Sequence, residues 1–275
     1  MPALDVYRIT DKLDDKTSNV LVERLEARGK HPVFTKMMHE YFDAMRIDQS
    51  ARVLDLGCGT GVAGRCILGR PGFRGEVIAV DLSPYLAAVG SDLAAKEGLA
   101  DRMQFRVRDS HRPPANDAEF DAVVLHTLIS HVSDPLAVLR QARRVVKPGG
   151  MIGIFDGDYA SLTFAQDDPD KAKEDDAAII RSVVTNPQVM RQMPRLLKAA
   201  QLELITFFAH VVAEAGSANY WLPGIASFRA LLPKADAMSE AAASVWADNM
   251  LRDSDAGVFF GASNYYTYVA RRPTL

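Results

Sequence analysis

From Arg52 onward, short apolar runs alternate with segments of helical pattern. The runs are Arg52-Val-Leu-Asp-Leu56, Glu76-Val-Ile-Ala-Val-Asp81, Met103-Gln-Phe-Arg-Val107, Phe120-Asp-Ala-Val-Val-Leu125 and Gly150-Met-Ile-Gly-Ile-Phe155. Boundary signals mark the helices between them. Ser83 can cap one, with Pro84 in its first turn and Gly98 past its end. Asp134 and Pro135 open another in the same way, and Pro148-Gly149-Gly150 closes it. Strands that alternate with helices connect through right-handed crossovers, which yields a parallel, doubly wound sheet. The expected class is α/β. A chain of 275 residues buries such a core without disulfide or metal staples.

The flanks differ in character. Residues 1–50 read as a helical lid. Pro32 suits a first helical turn, and Phe34, Met38, Tyr41, Phe42 and Met45 follow on one stripe. Val20, Leu21 and Leu25 share one side of an earlier helix. Residues 51–275 form the main domain on this reading. Within it, 160–186 is polar and reads as a solvated insertion, and 219–253 reads as a helical cap. Strands are expected at Leu202–Val212 and Val258–Ala270, as an antiparallel pair on the sheet edge.

Composition narrows the function. Lys and Arg number 32 against 35 Asp and Glu, a formal net charge of −3. A general polyanion binder needs excess positive charge, so nucleic acid is not the expected partner. No run approaches the roughly 18 apolar residues of a membrane span. The start, Met1-Pro2-Ala3-Leu4-Asp5, lacks a basic region followed by an apolar run. The only cysteines, Cys58 and Cys66, suit a reducing compartment and cannot make a zinc site alone. A cytoplasmic protein without a metal is expected, either monomer or homodimer.

The stretch Val53-Leu-Asp-Leu-Gly57-Cys-Gly59-Thr-Gly61-Val-Ala-Gly64 follows the first strand and opens a helix. Its glycines allow a tight turn and close approach to a ligand, and the helix start offers free N–H groups. In an open parallel sheet, ligands bind outside the carboxyl ends of the strands. Gly59-Thr-Gly61-Val-Ala-Gly64 formally matches the dinucleotide pattern, so an NAD(P)-dependent oxidoreductase is one reading. Three carboxylates point elsewhere. Asp55 can pair with an ammonium group, directly or through water. Asp81, ending the second strand, can accept from both ribose hydroxyls. Asp109, beside Ser110 after the third strand, can accept from an exocyclic adenine amine. An amino-acid end, a ribose and an adenine together describe S-adenosylmethionine.

Taken in order, these residues resemble a class I S-adenosylmethionine-dependent methyltransferase. Val53-Leu-Asp-Leu-Gly-Cys-Gly-Thr-Gly61 is similar to that family's first motif, and Val80-Asp81-Leu-Ser-Pro84 to its acidic second motif. Phe120-Asp-Ala-Val-Val124, His131-Val-Ser-Asp-Pro135 and Arg144-Val-Val-Lys-Pro-Gly-Gly150 match the stretch around its fourth and fifth strands. The ubiquinone/menaquinone C-methyltransferase-like small-molecule group is the nearest flavour. Ser130 departs from that pattern, in which a Glu often precedes the His. The resemblance implies a Rossmann-like sheet of seven strands with the last antiparallel. It implies cofactor contacts from Asp55, Gly57, Gly59, Gly61, Asp81 and Asp109, to which Cys58, Leu82, Ser110 and His126 are added as neighbours.

Methyl transfer needs the acceptor held in line, and a base only where the acceptor must lose a proton. His126, His131, Asp156, Asp158 and Tyr159 sit where the fourth and fifth strands end, and His126, His131 and Asp158 are the catalytic candidates. His126→Ala is expected to lower turnover more than cofactor affinity. Phe34, Met38, Tyr41, Tyr159 and Trp221 are the candidates for an apolar, aromatic acceptor site. A relative that keeps the fold without methyl transfer is the remaining alternative. No N-P-P-Y signature, metal-ligand spacing or Gly-x-Ser-x-Gly elbow is present.

Overall fold

The computed structural model describes residues 5–274. Residues 1–4 and 275, the outermost positions of the expected lid and main domain, lie outside the described residues. A 3-10 stretch at Val6–Lys12 leads into α1 (Asp15–Lys30) and α2 (Pro32–Met45). The alternating part follows: β1 (Arg52–Leu56), α3 (Val62–Leu68), β2 (Glu76–Asp81), α4 (Pro84–Lys96), β3 (Met103–Val107), β4 (Phe120–His126), α5 (Pro135–Val145) and β5 (Val146–Phe164). The chain ends through α6 (Pro169–Val183), α7 (Val189–Ala199), β6 (Glu203–Gly216), α8 (Trp221–Leu231), α9 (Glu240–Asp255) and β7 (Phe259–Arg271).

The strands form one seven-stranded sheet of order β3-β2-β1-β4-β5-β7-β6. β1 to β5 are parallel, and β7 runs antiparallel between β5 and β6. The cap signals act as the sequence suggests. Ser83 Oγ accepts from the Leu86 N–H at 3.2 Å, and Asp134 Oδ1 accepts from the Ala137 N–H at 2.9 Å. Both satisfy N–H groups that a helix start otherwise leaves open.

Strand side chains alternate between two cores. Leu54, Ile78, Val123 and Ile152 face α5 and α7, while Val53, Val77, Val124 and Phe155 face α2 and α3. Gly153 lets Met45 and Tyr41 of α2 lie directly on β5, because a Cβ there would collide with Met45. α2 is therefore a core helix. The expectation of a lid applies better to α1, which contacts α3, α4 and α8.

The segment 160–186 departs from the expected solvated insertion. β5 continues to Phe164 after a register shift beyond Asp158, and α6 follows. Asp176 of α6 is buried and accepts from the Phe164 N–H at 3.2 Å. Ile179 and Val183 join Phe164, Trp221, Phe228 and Trp246 in a third core, formed with α8 and α9. Polar composition hid this buried face.

Candidate active site

A cleft opens at the carboxyl ends of β1 to β4, beneath α1 and the 3-10 stretch. Its walls include Gly57, Cys58, Gly59, Asp81, Leu82, Asp109, Ser110 and His126, which the sequence singled out for a cofactor. Thr60, His111, Leu128, Tyr7, Thr10 and Arg28 line it as well, without having been expected.

The loop's shape follows from its glycines. Gly57 has φ +71°, a left-handed conformation, and a Cβ there would collide with Leu128. The N–H groups of Gly57 and Cys58 donate to the Val80 carbonyl at 2.7 and 3.0 Å, so the loop is tied to the end of β2. Gly59 N–H donates to Asp81 Oδ2 at 2.7 Å, and Ser83 N–H donates to Asp81 Oδ1 at 2.9 Å. Asp81 is thus fixed on the cleft wall with further lone pairs free to accept. Burial pushes its carboxyl above the usual range, and the N–H donors of Ser83 and Gly59 oppose that shift. From above, α1 clamps the loop: Glu26 accepts from Thr60 Oγ1 at 2.6 Å and from Arg65 Nη2 at 2.5 Å.

Asp55 takes a different place from the one expected. It is wholly buried behind the loop and does not border the cleft, so it makes no direct ammonium contact there. Its Oδ2 accepts from the Gly64 N–H at 2.9 Å, which pins α3, while Oδ1 has no partner. Burial raises its carboxyl to about 7; Gly64 and Arg65 oppose the shift and Asp81 adds to it. Asp109 borders the cleft, and its Oδ1 accepts from the N–H of His111 at 2.8 Å and sits 2.7 Å from that ring's Nδ1. Burial works against its charged form, yet these His111 contacts hold the carboxyl below its ordinary value. Burial also pushes the Cys58 thiol well up.

Among the catalytic candidates, only His126 and His131 border the cleft. His126 ends β4, and the Tyr41 hydroxyl lies 3.0 Å from its Nδ1. Burial, together with the nearby Arg28 cation, lowers its imidazole to about 3. His131 is tied 3.0 Å from Asp5, which also accepts from the Thr185 N–H and hydroxyl, both at 2.9 Å. It anchors the 3-10 stretch. Asp158 is wholly buried and faces away: Arg191 Nη2 donates to it at 2.7 Å and Nε at 2.9 Å. Asp158 is thus held in an ion pair with Arg191 and does not line the cleft.

The expected acceptor residues also divide. Phe34 and Met38 are wholly buried in the core and line neither the cleft nor the recess between α1 and α8. Tyr41 is buried too and reaches the cleft only through His126. Tyr159 stands beside Arg28 and His131. Trp221 borders a separate recess between α1 and α8, together with Arg24, Arg28, His31 and Tyr220. Arg28 escaped sequence analysis, because a single cation on a helix gives no pattern to read.

A seven-stranded Rossmann-like sheet with β7 antiparallel, a glycine loop after β1 and an acid ending β2 place a cleft at the carboxyl ends of the strands. Residues 53–150 match the family model of a methyltransferase domain. The chain is 30% identical over 156 residues to a ubiquinone/menaquinone biosynthesis C-methyltransferase of Coxiella burnetii, covering 54% of this chain and 61% of that protein. It is 28% identical over 231 residues to an uncharacterized 37.1 kDa transposon protein of Streptomyces fradiae, covering 83% of this chain and 65% of that one. It thus spans less than two thirds of the length of these curated relatives. The crystal structure of the [4+2]-cyclase SpnF superposes with a TM-score of 0.63 at 20% identity, over 100% of this chain and 99% of that one. By motif and family model, residues 53–150 are similar to the methyltransferase domain of class I S-adenosylmethionine-dependent methyltransferases, and the sheet has the Rossmann-like fold of such proteins.

Proposed function

We propose that this protein moves a methyl group from S-adenosylmethionine to a small organic acceptor whose bulk is apolar or aromatic. One observation carries the reading: Asp81, held by the Gly59 and Ser83 amides, faces a cleft whose other walls are the glycine loop and the end of β4. Asp81 would hold the ribose hydroxyls, and Leu82, Asp109 and Ser110 the nucleoside end. Gly57 to Gly59 and the His126 strand end would hold the amino-acid arm. When bound, the cofactor supplies an electrophilic methyl group on a sulfonium.

The chain's own work is alignment, which contributes roughly 7–11 kcal/mol in favourable cases. α1 lies over the glycine loop through the Glu26–Thr60 contact, which would help shield a bound cofactor from water. His126 stays neutral and positions its neighbours, since a group that protonates only near 3 is a weak base at neutral pH. The negative formal charge favours a small molecule over nucleic acid, and the free thiols Cys58 and Cys66 suit the cytoplasm. Among the described residues no helix is long and apolar enough to cross a membrane.

Calorimetric titration with S-adenosylhomocysteine and, separately, NAD tests the cofactor. Saturable heat with the first and none with the second is expected; the reverse restores the oxidoreductase reading. Cofactor-dependent gain of one methyl mass on a metabolite in an extract tests the reaction. Binding without any such gain would favour the relative that has lost methyl transfer.

A further inference from the structure

Arg24 and Arg28 lie one turn apart on α1, and both border the recess between α1 and α8. Neither meets a carboxylate among the described residues. Their side-chain hydrogen bonds go to hydroxyls: Arg24 Nη1 donates to Ser227 Oγ at 3.4 Å, and Arg28 Nη2 donates to Thr127 Oγ1 at 2.8 Å. Like charges four residues apart on a helix repel, and a partly buried cation without a counter-ion forfeits hydration. Aromatic faces offset some of this. Arg24 lies 5.0 Å from the Phe228 ring centroid and Arg28 lies 5.6 Å from that of Phe34.

Further features of the recess are those of a receptor. Tyr220 lines it, and its hydroxyl lies 2.8 Å from that of Tyr265. His31 Nδ1, on the same recess, is buried without a hydrogen-bond partner. Arg28 borders both the glycine-loop cleft and the recess, whereas Arg24 borders the recess alone. An anion that serves both must therefore sit on the far side of the cleft from the glycine loop.

We propose that the α1–α8 recess binds a carboxylate of the methyl acceptor between Arg24 and Arg28. The acceptor is then an organic acid with an apolar or aromatic body. The word acceptor rests on the function proposed above; anion binding at the recess does not.

Benzoate and benzamide, alike in shape and different in charge, are the probes. Each is titrated into the full chain, with and without S-adenosylhomocysteine, following heat and the thermal midpoint. Benzoate should bind saturably and raise the midpoint, and benzamide should not. Arg24→Gln should weaken benzoate about tenfold or more, the worth of a charge-assisted hydrogen bond, and leave S-adenosylhomocysteine affinity within about twofold. Its ligand-free midpoint should stay level or rise, because a like-charge neighbour is gone; a merely structural arginine would lower it. Equal binding of the two probes, or benzoate binding unchanged in Arg24→Gln, overturns the proposal. Arg28→Gln separates the two sources of a carboxylate. If it weakens S-adenosylhomocysteine but neither 5′-methylthioadenosine nor benzoate, the cation serves the cofactor and the acceptor assignment falls. Failure of the wild type to bind S-adenosylhomocysteine would sink the methyltransferase reading alone, since benzoate binding is read independently.

Discussion

The Tyr41 hydroxyl stands 3.0 Å from Nδ1 of His126 and so joins a core helix to the strand end that borders the cleft. The contact suits a neutral imidazole, and burial keeps it neutral down to about 3. His126 should therefore contribute no step to the rate between about pH 5.5 and 8, the window in which an ordinary imidazole titrates. Initial rates at saturating cofactor check this. A step near 6.5 that disappears in His126→Gln would contradict a positioning role.

His126 and Asp55 make opposite demands on stability. The imidazole falls from 6.5 to about 3 on folding. Its contribution is present above 6.5 and is lost as pH falls toward 3. The Asp55 carboxyl rises from 3.8 to about 7. Its contribution is present below 3.8 and is lost as pH rises toward 7. Each group changes stability by at most about 1.4 kcal/mol per pH unit within its window, and between 3.8 and 6.5 the two slopes oppose. Urea unfolding from pH 4 to 6.5 separates them. Relative to wild type, Asp55→Asn should make stability climb more steeply with pH, and His126→Gln should make it decline. Tilts of the same sign would show that one assignment is wrong.

The parallel sheet was legible because each crossover carries its own local signal. Ser83 with Pro84 and Asp134 with Pro135 cap helices through bonds made within three residues, which sequence alone can display. The glycine loop was legible for the same reason. What stayed hidden depends on distant partners. Asp158 looked like a strand-end acid open to chemistry until Arg191 closed over it, and Asp176 looked solvated until Phe164 donated to it. The stripe of Phe34, Met38 and Tyr41 announced burial, but an apolar stripe does not say whether it faces core or ligand. Arg28 was overlooked because its importance lies in what it lacks.

Asp81 joins loop and cleft, so its charge should matter more to the cofactor than to the fold. In Asp81→Asn one side-chain oxygen remains to accept and an amide group replaces the other. Losing the charge-assisted bond to one of the two hydroxyls should weaken S-adenosylhomocysteine by roughly 10- to 100-fold, at about 1.5–3 kcal/mol for such a bond. Calorimetry reads this directly. Gly57→Ala should act through the fold instead, losing about 1–3 kcal/mol to left-handed strain along with the collision at Leu128. An Asp81→Asn protein with wild-type affinity would remove Asp81 from the cofactor site.

Arg191 tests the structural assignment of Asp158. The carboxylate is wholly buried, while the guanidinium side chain is 48% exposed, so solvent already weakens the pair from its outer side. Removing the cation strands a buried charge, which costs about 3–5 kcal/mol for a fully buried pair and less here. Arg191→Met should therefore lower the thermal midpoint clearly, while turnover per folded molecule at a permissive temperature stays near wild type. Asp158→Asn should be milder, because it removes the charge along with the need for a counter-ion. If Asp158→Asn instead abolishes turnover with an unchanged midpoint and unchanged S-adenosylhomocysteine affinity, Asp158 takes part in the chemistry and its ion pair opens during the cycle.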